Sequence, residues 1–517
     1  MDFSGVWGST VLNLIGGLAN AGLTFGFTLL VSRSLGAGES GVLFEAIAVF
    51  SILIVVGQFG AGAVIVKAIS SVIAVGRSVD IPRVVGVTAV PVLVFSTAIG
   101  LALTLSAPEL APLIVKTGDR ARAVVDLRWF GIFVPIASVS AVALAATRAF
   151  GTMVPTFVIE NVGKPLFRFL AACVLVATGL GAGMVGQLWV AAVGVAAVPV
   201  VVCLWRLTRC RMQAESSCES PAPLGPTARA FWKLTLPQWS AEVFQLGVLW
   251  VDVLMVGALS SARDAGVYAA VSRLILVGSL GLAAVVLAVG PTFGRLIARG
   301  ELERAGSLYR DATALLIAAA FPVYFTGAVF APLLVQIFGS EFRSGHVAFS
   351  ILAGAMFLNV AAGPGAVALL MAGRTNLIML DSGVGLILNM SLNAVLIPTV
   401  GIDGAAMAWA SSILATNALL LIQLRGTLHT WPVRRGVFVA CGIPCVPLVA
   451  SCAIALSLFG ETLLAFIAGA GVGLGAYTVM MWRTRAQLGL HRDVFASADA
   501  AHGSFSPDRA LELARSG

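Results

Sequence analysis

Residues 84–106 read VVGVTAVPVLVFSTAIGLALTLS, a run with no charged side chain that starts directly after Arg83 and ends shortly before Glu109. A helix needs about 20 consecutive apolar residues to cross the hydrocarbon core of a bilayer, and this run supplies them. It does not alternate polar with apolar as an outer-membrane strand does. With water excluded, a helix is therefore the way its backbone N–H and C=O groups find partners.

The same pattern fills the chain on both sides. Of 517 residues, 59% are hydrophobic and 11% charged, and the mean hydropathy is +0.99. A soluble fold of this length carries about 25% charged residues, about 130, against 32 Lys and Arg plus 24 Asp and Glu here. That excludes an ordinary soluble enzyme, and so much apolar sequence excludes disorder. Apolar runs between charged or turn-rich breaks predict 14 helices near 10–32, 40–66, 84–106, 124–146, 152–178, 182–204, 236–258, 265–290, 311–335, 346–371, 376–397, 402–424, 436–458 and 462–482. The fold class is thus an all-α integral membrane bundle. The first run follows Met1-Asp2, has no basic segment before it and lacks a cleavage site, so it reads as the first helix and not as a secretory signal. Seven Cys lie mostly inside apolar runs with no C-x-x-C pair, so free thiols are expected, with no zinc and no disulfide frame.

Orientation follows from Lys and Arg near helix ends. With the N-terminus cytoplasmic, 22 of the 32 fall on the inner side, seven (Arg33, Lys116, Arg120, Arg122, Arg128, Arg263, Arg343) on the outer side, and three within helices. Both termini are expected inside. The net charge of +8 sits where this rule puts it, so no nucleic-acid partner is implied. The longest break, 205–235, is rich in Ser, Pro and basic residues and reads as a cytoplasmic linker; Arg295 to Arg310 reads as a short charged helix, and the tail from 483 as soluble.

Internal symmetry organises the rest. Gly41-Val42-Leu43-Phe44 recurs as Gly266-Val267-Tyr268, an offset of 225 residues (41 to 266), and Gly179-Leu180-Gly181-Ala182-Gly183 recurs as Gly401-Ile402-Asp403-Gly404-Ala405, an offset of 222 (179 to 401). Six helices fit each repeat, and an even number keeps both copies in the same orientation. The expected plan is two parallel-repeat six-helix bundles plus two C-terminal helices: an N-terminal lobe at 1–204, the linker at 205–235, a C-terminal lobe at 236–424, helices 13 and 14 at 425–482, and the tail at 483–517. Facing parallel repeats are one transporter plan, with access alternating as the halves rock.

Ser32-Arg33 with Leu35-Gly36-Ala37-Gly38-Glu39-Ser40-Gly41, then Val251-Asp252-Val253-Leu254-Met255-Val256-Gly257 with Ala265-Gly266-Val267-Tyr268-Ala269-Ala270, resembles the polysaccharide-transport branch of the multidrug/oligosaccharidyl-lipid/polysaccharide exporter superfamily. Ala372-Gly373-Arg374-Thr375 and Leu396 to Ala406 are similar to that family's second half. The resemblance covers helices 1 to 12 and rests on the order and spacing of short turn motifs. It implies a Wzx-type flippase that moves a polyprenyl-pyrophosphate-linked oligosaccharide across a bacterial inner membrane for surface or exopolysaccharide. A polymerase and a chain-length regulator are the partners expected beside the membrane lipids and the lipid-linked substrate.

Candidate site residues are the polar groups inside predicted helices, since a charge at the bilayer centre costs about 3 kcal/mol or more and usually faces inward. Arg273 lies about eight residues into helix 8, deep for snorkelling; it is read either as a bidentate grip on pyrophosphate or as a structural ion pair with Asp252 or Glu242. Helix 5 carries Glu160, Lys164 and Arg168, spaced by four on one face. Lys164 and Arg168 are further anion candidates, and a stripe against a neighbouring helix is the alternative. Pro165 between them is a kink candidate. Asp381 of helix 11 lies 221 positions after Glu160, so paired acids taking up H⁺ or Na⁺ stand beside plain interhelical glue made with Ser382, Asn389 and Asn393. Glu45, and Glu242 with Gln238, Trp239 and Gln245, share this ambiguity. Trp239 and Trp250 read as interface-belt residues in preference to sugar platforms. Asn389-Met390-Ser391 matches a glycosylation acceptor but falls within a helix and is discarded.

Three rivals remain open. A multidrug antiporter of the same superfamily would, by resemblance, carry an acid in its first helix, and residues 10–32 contain none. A lipid II flippase has similar size and helix number. A polytopic glycosyltransferase or polymerase would need a D-x-D or a large loop domain, and the chain has no D-x-D and no outer loop beyond about 17 residues. No G-x-x-x-x-G-K-[ST] is present. Energy is expected from an ion or substrate gradient, with no enzyme activity and no bound cofactor.

Overall fold

The computed structural model describes residues 3–179, 182–214, 224–428 and 435–484, and among them every regular element is helical. Fourteen principal helices follow the predicted order. They are α1 (3–35), α2 (37–58), α3 (Ile81–Ile114), α4 (Arg120–Arg148), α5 (Thr156–Thr178), α6 (Val185–Ala214), α7 (Leu224–Leu259), α8 (Ala262–Val277), α9 (Leu302–Val329), α10 (His346–Ala361), α11 (Thr375–Val400), α12 (Ile402–Leu428), α13 (Arg435–Phe459) and α14 (Leu463–Thr484). Among the described residues, twelve stretches are long and apolar enough to cross a bilayer; one, Ile15–Gln58, holds both α1 and α2, and α8 with its continuation Leu280–Ala298 completes the fourteen.

The first interruption lies in the expected break between 10–32 and 40–66, and the next two inside runs that sequence pattern alone drew as continuous helices. Gly36 (φ 74, ψ 177) breaks the chain between α1 and α2, a conformation that a residue with a Cβ adopts only at a cost. The predicted helix 40–66 is cut after Gln58 by Phe59 (φ 51) and Gly60 (φ 70), and a separate helix, Ala61–Ala74, follows. Hydropathy sees the apolar composition of 59–66 but not its handedness. Thr156–Gly163 in α5 is π-helical, just before Pro165, which has no N–H to give to the turn. The expected linker is helical where it is described, as α6 reaches Ala214 and α7 starts at Leu224; residues 215–223, like the tail from 485, lie outside the described residues. Arg295 to Arg310 forms no helix of its own: Glu303, Arg304 and Arg310 belong to α9, and Arg304 pairs with Glu301 at 2.6 Å.

α3 shows how helices associate without water to drive them. Its buried face is Thr88, Val92, Ser96, Gly100, Leu103, Ala107 and Ala111, three or four apart, while Val90, Val94, Leu101 and Leu105 are exposed. Lipid is as apolar as Leu, so contact favours small residues that let backbones approach. A Cβ at Gly131 of α4 would lie 2.6 Å from the Gly100 carbonyl oxygen, closer than any real contact.

The chain resolves into two compact units. One runs up to Leu280 and includes Gly327–Asn359 and Thr375–Leu419; the other takes Gly281–Thr326, Val360–Arg374 and the chain from Leu420. In the second, Tyr309 donates to the Ala362 carbonyl (2.5 Å) and Tyr477 to the Ala318 carbonyl (2.8 Å). All the polar candidates named above fall in the first.

Candidate functional site

Within the first unit, the repeat-related helices α2 and α8 cross backbone to backbone. A Cβ at Gly41 would overlap the Ala262 carbonyl oxygen, and one at Gly266 would overlap the Ala37 carbonyl oxygen. Around this crossing the α3–α4 turn grips the α7–α8 turn: the Lys116 N–H donates to the Gly257 carbonyl (3.3 Å), Lys116 Nζ to the Leu259 carbonyl (2.9 Å), and the Ala262 N–H to the Thr117 carbonyl (3.3 Å). The N-terminus of α2 presents free N–H groups, and Glu341 supplies the acceptor, its Oε2 taking the Ala37 N–H at 3.1 Å. Phe25 of α1 meets Phe338 edge to face at 5.9 Å. This end of the unit is a closed seam between the two repeats.

Arg273 lies half-buried on α8 with its Cζ 3.9 Å over the ring of Trp250 on α7. Its Nη2 is buried and has no hydrogen-bond partner, and among the described residues no carboxylate pairs with it. The structural pair with Asp252 or Glu242 does not form. Asp252, 2% exposed, is occupied elsewhere: Tyr268 donates its hydroxyl at 2.9 Å and Asn393 its amide at 2.6 Å, while Asn393 also donates to Asn389 Oδ1 at 3.1 Å. Asn389 Nδ2 and Asn393 Oδ1 remain without partners, so this buried acid–amide group keeps open polar valences. Glu242 is half-buried.

On α5, Lys164 forms an ion pair with Glu160, and Arg168 turns to α6. There its Nε donates to the Trp189 carbonyl (3.1 Å) and its Cζ lies 3.6 Å over the Trp189 ring, which packs on Phe50 (5.8 Å) and Phe130 (5.7 Å). A desolvated cation on an aromatic face gains about 2 kcal/mol. Two guanidiniums in this unit therefore lie within 4 Å of a tryptophan ring, and a third, Arg209, lies 5.3 Å over Trp205 of its own helix. Arg273 and Trp250 meet across different helices, as do Arg168 and Trp189.

The other candidates disperse. Asp381 is buried on α11, whose Asn393 donates to Asp252 and to Asn389. Trp239, read with Trp250 as an interface-belt residue, instead donates its indole N–H to the Val56 carbonyl (3.2 Å) and packs on Phe59 (5.0 Å). Glu45 on α2 is fully buried and neither carboxyl oxygen has a partner. Gln238 has no described side chain. Cys173, Cys203, Cys210, Cys445 and Cys452 are in no disulfide, and among the described residues no three His, Cys, Asp or Glu side chains group to hold a metal.

Sequence reading missed Tyr268 and Asp126. Tyr268 stood inside a motif treated as turn chemistry, and its hydroxyl is what closes on Asp252. Asp126 of α4 is fully buried, 3.9 Å from Arg122, which also pairs with exposed Glu39 at 2.9 Å. The i,i+4 spacing of Arg122 and Asp126 was the available signal.

Residues 239–395 match the MatE family model. A curated protein, the "Probable low-salt glycan biosynthesis flippase Agl15" of Haloferax volcanii, is 29% identical over 175 residues, 33% of this chain and 36% of that protein, so the match spans about a third of the relative's length. Among solved structures, the lipid II flippase MurJ in an inward closed conformation aligns with TM-score 0.65 at 13% identity, over 90% of this chain and 97% of that one. An inward-facing multidrug resistance MATE family transporter of the MOP superfamily aligns with TM-score 0.63 at 14% identity, over 80% and 94%. The chain is thus a multi-pass, all-helical membrane protein with the fold that MATE multidrug transporters and the lipid II flippase MurJ share.

Proposed function

We propose that this protein is a flippase of the MatE/MOP superfamily, which translocates a polyprenyl-pyrophosphate-linked oligosaccharide across a bacterial inner membrane for surface or exopolysaccharide assembly. The observation that carries the substrate class is Arg273. A guanidinium inside a membrane helix, stacked on Trp250 and with Nη2 unpartnered, retains an unmet demand for an anion. A pyrophosphate meets that demand with the planar, two-point geometry that Arg favours. The shared fold, the MatE match and the partial likeness to a glycan flippase support the same reading. The relatives named are transporters and flippases, consistent with a protein that moves its substrate without altering it.

In this reading the two repeats form lobes that alternate between membrane faces, and both termini are cytoplasmic. Lys164 and Arg168 form a second basic position, with Lys164 neutralised by Glu160 and Arg168 braced on Trp189. Asp252, with Asn389 and Asn393, is the candidate for H⁺ or Na⁺ coupling, and Asp381 and Glu242 are secondary candidates. A polymerase and a chain-length regulator would act on the delivered product. The likeness to a lipid II flippase makes lipid II the second substrate reading. Deleting the gene should strand lipid-linked oligosaccharide in the inner leaflet and abolish surface polysaccharide. Normal polysaccharide with raised drug sensitivity would replace this reading with a cation-coupled multidrug antiporter.

A further inference from the structure

Glu45 sits on α2 one helical turn beyond Gly41, beneath the closed seam. It is 0% exposed, and neither Oε1 nor Oε2 has a hydrogen-bond partner. Opposite it on α7 is Gly257, where a Cβ would overlap Oε1 and lie 3.0 Å from the Ile114 carbonyl oxygen. The carboxyl therefore fills a space that exists because α7 has no side chain there.

Charged groups on the elements at this seam are engaged elsewhere or, like Arg263 of α8, exposed. On α2 itself, Glu39 pairs with Arg122 of α4, which also faces Asp126; after α3, Lys116 donates to the Leu259 carbonyl; on α7, Asp252 is held by Tyr268 and Asn393; on α8, the Asp264 carboxylate accepts from the Ser260 hydroxyl. None reaches Glu45. An isolated carboxylate in such a place is prohibitive, and the group neutralises instead. Packing does not demand an acid at the repeat-related crossing: the 225-residue offset takes Glu45 to Ala270 and Gly257 to Ser32, both buried and uncharged.

We propose that Glu45 is a proton-binding site that sets the equilibrium of this seam. The carboxylate takes up one proton when α2 and α7 close on it, and the acid returns that proton to water when they part. The proton comes from and goes back to the aqueous phase on the seam's own side, the outer one by the charge-derived topology. It is a ligand of the closed state and is not carried across. The proposal rests on the reading of the chain as an alternating-access transporter, but its test needs no glycan.

The full-length protein, with its cysteines replaced, is spin-labelled at exposed Ser34 and Arg263, which belong to opposite repeats at the seam, and placed in lipid nanodiscs. Distances are read by electron spin resonance from pH 5 to 9. Linkage of one proton changes the closed-to-open ratio by up to about tenfold per pH unit, with the closed distance favoured at low pH. Glu45→Gln, neutral at every pH, should hold the closed distance throughout. Gly257→Ala, which presses a methyl onto the carboxyl, should raise the open fraction at low pH while keeping a pH response. An unchanged pH response in Glu45→Gln would overturn the proposal. So would a single distance at all pH in the unsubstituted protein, or a shift driven by NaCl at fixed pH. Normal glycan export beside any of these overturning results would leave the flippase reading intact and remove the proton site alone.

Discussion

Gly41 and Gly266, 225 residues apart, contact each other's helices reciprocally: each faces the backbone carbonyl of the residue four positions before the other, Ala262 for Gly41 and Ala37 for Gly266. That is the signature of a two-fold related, self-complementary interface. It occurs here inside one chain, at the crossing of α2 and α8, where the sequence repeat had aligned the same two glycines. No side chain separates the backbones, so the crossing tolerates no growth.

Enlarging either glycine should therefore open the seam. Gly41→Leu or Gly266→Leu is expected to destabilise the protein by at least about 1–3 kcal/mol through overpacking, seen as a lower unfolding temperature in detergent. Gly41→Ala with Gly266→Ala should cost less than the two singles together, because one separation of the helices relieves both clashes. Strict additivity would mean the two glycines do not share a contact.

Removing the cation on Trp250 tests the substrate grip. Arg273→Ala should abolish polysaccharide export while the protein accumulates in the membrane, and Arg273→Lys should restore export only in part, since an ammonium keeps the charge but loses the planar fork. Trp250→Ala should fall between them, the guanidinium being present but unbraced. Immunoblot level and surface polysaccharide are read together. Full export by a well-expressed Arg273→Ala protein would shift attention to Lys164 and Arg168.

The Asp252 group makes a separate claim about stability. Asp252→Ala leaves the Tyr268 hydroxyl and the Asn393 amide without their acceptor, at an expected loss of about 1–3 kcal/mol. Tyr268→Phe should lose about 0.6 kcal/mol, typical of an interhelical hydrogen bond in membranes. A double-mutant cycle of Asp252→Asn with Tyr268→Phe, followed by unfolding in mixed micelles, should give a nonzero coupling energy. Zero coupling would mean the hydrogen bond carries no stability.

Topology is tested by labelling from each side of intact and permeabilised cells. Cysteines placed at exposed Ser344, after the α9 segment, and at Arg299, before α9, should react with an impermeant reagent from outside and from inside respectively. Reaction of both from one face would contradict the arrangement inferred from the 22-to-seven basic asymmetry.

Runs such as 84–106 determined by themselves that the chain spans a membrane many times and in what order, because a helix in lipid closes its hydrogen bonds within a few residues of the same segment. The repeat offset likewise marked Gly41 and Gly266 as equivalent. Partnership between helices was decided only by the tertiary structure. Arg273 was equally compatible with Asp252, Glu242 or a free guanidinium, and the fold gave Asp252 to Tyr268 and Asn393 and laid Arg273 on Trp250. The break at Gly60 and the π segment at Thr156–Gly163 were invisible to hydropathy for a related reason, since backbone handedness and hydrogen-bond register leave composition unchanged. Glu45 is the clearest case: its letter fixes one carboxyl in an apolar run, and only the approach of Gly257 leaves that carboxyl alone. Helix formation is local and written in each run, whereas the rotation and spacing of packed helices depend on side chains some two hundred residues apart.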